Sequence, residues 1–139
     1  MREIKRSALV ARSPARVFEL VRDVERYPEY VPGCIGATVQ SQSPTELVAR
    51  LQVRRGMLQT HFTTRNRLDA PHSIHMSLVE GPFKSLEGRW LFVPVGEGCR
   101  IDLLLQFEFS NALKAALFEP VLQETAASLV KAFVLRAQQ

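Results

Sequence analysis

The sequence predicts an α+β fold in which one curved antiparallel sheet wraps around a long C-terminal helix. Three observations favour this fold. Apolar and polar residues alternate with a period of two through much of the middle of the chain. Short turns rich in Gly and Pro separate these stretches, and short connections join antiparallel neighbours. Residues 111–137 instead repeat their apolar positions at intervals of three and four, which is typical of a helix.

Length and composition favour one globular domain spanning residues 1–139. Hydrophobic residues make up 46% of the chain and charged residues 23%, which are ordinary globular values. No apolar run approaches the roughly 20 residues that span a bilayer. The charged N-terminus has no apolar segment behind it, so we expect no secretion signal and a cytoplasmic location. Cys34 and Cys99 lack metal-site spacing and are expected to be reduced, structural thiols.

The first elements are a strand and a short helix. Alternation predicts the strand over Glu3–Ala11. Ser13 then suits a helix N-cap, and Pro14 suits the first helical position, where its missing N–H has no effect. One apolar face follows at helical spacing, made by Val17, Phe18, Val21 and Val24. The prolines at 28 and 32 then predict a loop.

The middle of the chain predicts a meander of about six strands. The inward positions of three of these strands are Leu47–Val53, Ile74–Leu78 and Cys99–Phe109, taken at every second residue. Turn signals lie between the strands at residues 55–56, 69–71, 81–82 and 96–98.

The last helix is predicted over Asn111–Ala137, with Asn111 as its cap. Pro120 lies inside this range and predicts a kink or a split into two helices. Six small residues occur along the helix, namely Ala112, Ala115, Ala116, Ala126, Ala127 and Ala132. A concave sheet under such a helix can enclose a cavity, or large sheet residues can fill the space; periodicity leaves both outcomes open.

Several segments resemble, in the same order, those of the coenzyme Q-binding START-like proteins. They are residues 27–34 (YPEYVPGC), 62–66 (FTTRN), 79–84 (VEGPFK) followed by Leu86, Gly88, Trp90 and Phe92, then 99–101 (CRI) and 107–111 (FEFSN). The resemblance extends from Ile4 to Ala137. It implies a helix-grip (START-like) fold, with a hydrophobic tunnel between the sheet and the C-terminal helix.

The resemblance implies more than one function. Family members bind ubiquinone and act as lipid chaperones in respiratory electron transport, so ubiquinone or another isoprenoid lipid is the first expected partner, bound as a ligand and not as a cofactor. Peripheral contact with the inner membrane goes with that role. The bacterial branch is described as toxins that bind the large ribosomal subunit and block its association with the small one. A polyketide cyclase-like enzyme is a further alternative, because related helix-grip domains include such enzymes.

Eleven inward or loop positions are predicted to line the tunnel, because aromatic rings and small helix residues suit a flat quinone head and its tail. These residues are Tyr30, Phe62, Phe83, Trp90, Phe92, Leu105, Phe107, Leu122, Ala126, Leu129 and Phe133. Lys84 is predicted to contact membrane or lipid phosphates. The alternative of plain core packing stays open for each ring, as does a simple bend at Gly81-Pro82.

No catalytic residue or metal site is predicted, and we expect a protein that is not an enzyme. His61 and His75 have outward parity, His72 lies in a turn, and the common hydrolase and metalloprotease motifs are missing. Arg65 and Glu108 are expected to pair across strands. The net charge of +4 suits RNA or anionic membranes as well as a solvated sheet face. The solvated sheet face is favoured because no aromatic residues interleave with the arginines. No DNA partner is expected.

Overall fold

Seven strands and three helices form the fold, which a computed structural model describes over residues 1–139. The strands are β1 (Arg2–Val10), β2 (Cys34–Gln42), β3 (Glu46–Arg55), β4 (Leu58–Asp69), β5 (Ser73–Glu80), β6 (Phe83–Val95) and β7 (Gly98–Phe109). The helices are α1 (Pro14–Arg22), α2 (Tyr27–Tyr30) and α3 (Ala112–Ala137), with a 3-10 turn at Val24–Arg26. The expected α+β, helix-grip architecture is confirmed.

One antiparallel sheet contains all seven strands in the order β1-β7-β6-β5-β4-β3-β2. β1 pairs with β7, the last strand of the chain, so β1 and β2 form the two edges. α1 and α2 lie in the connection between these two edge strands. Two hairpins turn through two residues that begin with Gly56 and Gly96, at φ values of 60° and 58°. A positive φ at the first turn position is readily available to glycine, and it suits the twist of a hairpin.

Helix α3 closes the concave side of the sheet. Asn111 caps it, because its side chain accepts a hydrogen bond from the backbone N–H of Lys114. Its buried side chains include Leu122, Ala126 and Phe133, which face the inward residues of the sheet. α1 covers the same side through Val17, Phe18 and Val21. The apolar core therefore lies between the concave face of the sheet and these two helices.

The prolines at 28 and 120 both lie within helices. α3 runs unbroken through Pro120, which excludes the split into two helices, while the kink stays a prediction. Pro120 and Ala116 are both exposed, and water can therefore satisfy the Ala116 carbonyl that loses its helical partner. Residues 27–30 form the short helix α2 instead of a loop, since Pro28 lies in its first turn, where a missing N–H is tolerated.

The predicted pair of Arg65 and Glu108 does not form. Glu108 lies on β7, and two strands separate β7 from β4 in the sheet. Arg65 instead contacts Glu46 on the adjacent strand β3, with Nη1 and Oε1 2.7 Å apart. Sequence parity places both predicted partners on the outer face, but strand order decides which charges meet.

Candidate functional site

An apolar cavity lies between the concave sheet, α3 and the end of α1. Of the 19 residues that line it, 15 are hydrophobic. The volume of the cavity that is open to water-sized molecules is about 60 Å3. The total empty space between the atoms, including the open mouth, is about 740 Å3. The interior is therefore not completely filled, and the space that α3 leaves open is larger than one water molecule needs.

Six predicted site residues stand in the wall of this cavity. They are Phe62, Trp90, Leu105, Leu122, Ala126 and Leu129. Phe62 lies on β4, and Trp90 and Leu105 come from the paired strands β6 and β7. The other three share one side of α3, at intervals of three and four residues. Contact of these side chains with a ligand stays a prediction.

Five predicted residues do not line the cavity. Phe83 stacks on Phe109, with ring centroids 4.8 Å apart. Phe107 also packs against Phe109, at 5.6 Å, and is fully buried. Phe92 meets Phe18 of α1 at 5.5 Å. These side chains point inward as predicted, but neighbouring rings fill the space around them, so they are core residues at the ends of the cavity.

A second aromatic cluster closes the end of the cavity near α2. Phe133 is fully buried and packs against Trp90 at 5.4 Å and Tyr27 at 5.3 Å. Tyr30 packs behind it at 6.3 Å, with the guanidinium of Arg136 4.7 Å from its own ring centroid. Phe133 and Tyr30 thus support the wall from behind, whereas Tyr27 and Trp90 face the cavity.

Sequence reasoning missed much of the wall. The wall residues outside the predicted set are Val21, Val24, Tyr27, Ala49, Leu51, Thr64, Asn66, Ile74, Met76, Leu86, Gly88, Leu103 and Thr125. Strand parity marks most of them as inward, which is the signal that could have found them. Gly88 makes room for its neighbours, since a Cβ there would lie 2.5 Å from Met76 Cε and 2.8 Å from Leu105 Cδ2.

A polar pair interrupts the apolar wall on β4. Thr64 Oγ1 donates a hydrogen bond of 2.7 Å to Asn66 Oδ1, and both residues are buried. This bond occupies the carbonyl of Asn66 and leaves its amide nitrogen without a partner in the chain. Thr125, also in the wall, donates its hydroxyl to the Val121 carbonyl at 2.8 Å. The cavity therefore offers the amide N–H groups of Asn66 to any hydrogen-bond acceptor inside it.

The tyrosines near the cavity are held neutral. Tyr27 donates its buried hydroxyl to the Val21 carbonyl, and burial raises its pKa well above the usual value. The Tyr30 hydroxyl is buried without a partner. Burial raises the pKa of Tyr30 to about 12, although Arg136 opposes the rise. Tyr27 is the one ionisable side chain in the wall, so the wall holds no side chain that titrates near neutral pH.

The remaining predicted residues lie outside the cavity. Lys84 is exposed beside a surface groove that Glu108 and Glu119 also line. His61 and His75 point outward, with Nε2 atoms 3.7 Å from Glu80 and 3.3 Å from Glu87. Cys34 and Cys99 are free and buried, and burial raises the pKa of both thiols. No helix of the structure combines the length and apolar character that a bilayer crossing requires.

The curved sheet, the long closing helix and the apolar space between them define a helix-grip domain with an internal cavity. The chain belongs to the family described as polyketide cyclase/dehydrase and lipid transport, whose model matches residues 10–134. The predicted resemblance to START-like proteins is confirmed at this level.

Relatives of known name cover the full chain. The chain is 44% identical over 140 residues to the ribosome association toxin RatA of Vibrio cholerae, covering 97% of that protein. It is 43% identical to the protein of the same name from Escherichia coli K12, covering 89% of it. A mitochondrial coenzyme Q-binding protein of Xenopus laevis is 26% identical over 140 residues, with 57% of its length covered.

Solved structures show the same fold. The Zhui aromatase/cyclase of a Streptomyces species superposes with a TM-score of 0.88 at 19% identity, covering 99% of this chain and 93% of the other. A START superfamily protein of Mycobacterium smegmatis superposes at 0.82 with 24% identity, covering 99% and 97%. At these identities the likeness concerns the fold alone.

Proposed function

We propose that this protein binds the ribosome at its large subunit and opposes the association of the two subunits. The observation that carries the proposal is the identity of 43–44% along the whole chain to proteins named ribosome association toxins. The quinone-binding relative is more distant, at 26% identity. The ribosome therefore takes precedence over a respiratory lipid as the partner.

The charge of the chain supports this proposal. Eighteen basic residues stand against 14 acidic ones, a net charge of +4. A basic protein is attracted to the phosphates of RNA and releases counterions when it binds them, so its affinity falls steeply as salt rises.

Co-sedimentation with purified Escherichia coli subunits tests the proposal. We expect the protein to pellet with the large subunit at low salt, to pellet less at moderate salt, and to stay in the supernatant with the small subunit. Added before the subunits are mixed, it should also reduce the peak of joined ribosomes in a sucrose gradient. Pelleting no greater than that of the protein alone at low salt would rule out ribosome binding.

We propose, as a second candidate function, that the cavity holds an apolar molecule that carries a hydrogen-bond acceptor, such as ubiquinone. The specific observation is the apolar wall with the free amide of Asn66 inside it. Burial of each methylene group contributes about 0.8 kcal/mol, and one acceptor on the amide orients the guest. The present volume is small for a quinone ring, so binding requires flexible wall side chains such as Met76 and Leu129 to move.

Trp90 makes this second candidate testable. It is the one tryptophan in the chain and stands in the cavity wall. Titration with a short-chain ubiquinone should quench its fluorescence saturably, and Ala126→Leu should abolish the saturable part by filling the cavity. Ala116→Leu, at an exposed position of the same helix, is the matched control and should bind normally. Purified protein whose organic extract holds no lipid, and whose Trp90 shows only linear quenching, would exclude this ligand class.

We propose that both functions are exerted by binding, without catalysis, and in the cytoplasm. The support is the lack of a side chain in the wall that could act as an acid or base near neutral pH. Turnover of an aromatic polyketide by the purified protein would contradict this part of the proposal.

A further inference from the structure

Positive charge is concentrated in one half of the sheet. Residues 34–69, which contain β2, β3 and β4, hold five arginines and two acidic residues, a net charge of +3. Residues 73–109, which contain β5, β6 and β7, hold three basic and five acidic residues, a net charge of −2. Strand β1, beside β7, adds three basic residues and one acidic residue, so that half of the sheet is neutral overall and the sheet's net positive charge lies in the half made by β2, β3 and β4.

Strand parity places four of these arginines on the outer face. Ala49 and Leu51 of β3, and Phe62 and Asn66 of β4, line the cavity, so the alternate residues point to the other side of the sheet. We call the resulting surface the basic face, and it comprises Arg50, Arg54, Arg65 and Arg67. The fifth arginine, Arg55, lies at the hairpin end and contacts Glu124 of α3.

The arginines of the basic face are close to one another. Arg50 is paired with Thr63, and Arg65 with Val48, so Arg50 and Arg65 are diagonal neighbours on adjacent strands. Diagonal positions in a sheet are about 7–8 Å apart, within reach of long side chains. The neighbouring edge strand β2 contains no charged residue and presents Thr38 directly beside Arg50.

Much of this charge is not neutralised within the chain. Arg50 and Arg54 form no ion pair, whereas Arg65 contacts Glu46 and Arg67 Nη2 lies 3.3 Å from His75 Nδ1. In addition, Arg50 Nε and the Oγ1 of Thr63 opposite it are buried without hydrogen-bond partners, and Thr63 is only 1% exposed. Buried polar groups are rarely left unpaired, and the Nε–H of Arg50 lacks an acceptor within the chain.

From this arrangement we infer that the basic face binds the phosphate backbone of double-helical RNA, an inference that rests on the proposed ribosome binding. Arginine guanidinium groups pair well with phosphate oxygens. The outer face of β3 and β4 has no Phe, Tyr or Trp on which an unpaired base would stack, and double-helical RNA is recognised mainly through its shape and backbone. A membrane-inserting surface would need exposed large apolar side chains, but the one apolar residue among the outward positions of β3, Val48, is 7% exposed.

Charge reversal on the basic face tests the inference. The test variant is Arg50→Glu with Arg54→Glu. The control, Arg16→Glu with Arg89→Glu, changes the net charge equally at two exposed arginines that form no ion pair and lie on α1 and β6. Binding is measured to the purified large subunit and to a fluorescent 20-base-pair RNA duplex, at several salt concentrations.

The test variant should bind both probes about tenfold or more weakly at low salt, and its log–log salt slope should be lower by about two. The control variant should keep the wild-type slope. Equal weakening in both variants would show an effect of net charge alone and overturn the inference. If the test variant does not fold, as judged by circular dichroism, Arg54→Glu with Arg67→Glu replaces it, since both side chains are exposed.

The same experiment separates this inference from the proposed function. Wild-type protein that does not bind the large subunit contradicts ribosome binding. If the wild type binds but the basic-face variant binds equally well, ribosome binding stands and the basic face is not the contact. Wild-type binding to phosphatidylglycerol vesicles but not to the duplex would identify a lipid surface and overturn the RNA inference.

Discussion

The two faces of β3 and β4 differ completely although they are made by alternate residues of the same strands. The inner face contributes Ala49, Leu51 and Phe62 to an apolar cavity. The outer face carries the four arginines of the basic face, of which only Arg65 forms an ion pair. Because alternate side chains of a strand point to opposite sides of the sheet, a substitution on one face leaves the side chains of the other face unchanged. The two proposed activities, cavity binding and ribosome binding, are thus separable by mutation.

Removal of Phe133 should have the largest effect on the inner side. Its ring is fully buried against Trp90, Tyr27 and Tyr30. Phe133→Ala should lower the free energy of unfolding by about 3–5 kcal/mol. Denaturant unfolding measures the change. Leu135→Ala, at a position 54% exposed on the same helix, should cost far less. Equal losses would mean that the cluster does not close the cavity.

Removal of the two tyrosine hydroxyls should change the free energy of unfolding by smaller amounts, which differ between Tyr27 and Tyr30. Tyr27→Phe removes the hydroxyl that satisfies the Val21 carbonyl, at a cost of about 1–3 kcal/mol. The Tyr30 hydroxyl is buried without a partner, so Tyr30→Phe should be neutral or slightly stabilising. Thermal unfolding of the two variants at pH 7 compares them. A larger loss for Tyr30→Phe would contradict the described hydrogen bonding.

Alkaline pH should weaken the same region. The folded pKa of Tyr30 is raised to about 12, so its neutral form is favoured by folding. That contribution is fully present below the unfolded value near 10 and is lost as pH rises through about 12. The free energy of unfolding should therefore decline across this window, and less steeply in Tyr30→Phe. An unchanged slope in the variant would assign the decline to other groups.

The smallest expected effect concerns the outer side. Glu46→Gln removes the exposed partner of Arg65, and exposed ion pairs stabilise by about 0.2–1 kcal/mol at most. Affinity for the RNA duplex should rise slightly, because Arg65 becomes free for phosphate. Anisotropy titrations and unfolding curves test both parts. A fall in RNA affinity would argue that Glu46 positions Arg65 for binding.

Much of the fold followed from periodicity, whereas the site followed only in part. Alternation and turn residues predicted the meander and the inward parity of Trp90 and Leu105 correctly. Parity shows which face of the sheet a residue is on, but not whether it lies beside the cavity or beyond its end. Phe83 and Phe107 are on the inner face as predicted, but they pack against Phe109 and do not line the cavity. The Thr64–Asn66 pair was missed because an inward polar residue contradicts simple alternation. The partner of Arg65 depended on strand order, which periodicity does not contain.

The pairing of β1 with β7 has a consequence for synthesis of the protein. Arg2 lies opposite Phe107, so the first strand made has no neighbour until the last strand has left the ribosome. α3 is made later still, and before it arrives the concave side of the sheet is uncovered. The chain therefore acquires its cavity only at the end of translation. A nascent chain that stops before residue 112 would expose the apolar concave face of the sheet, because the helix that covers it would be missing.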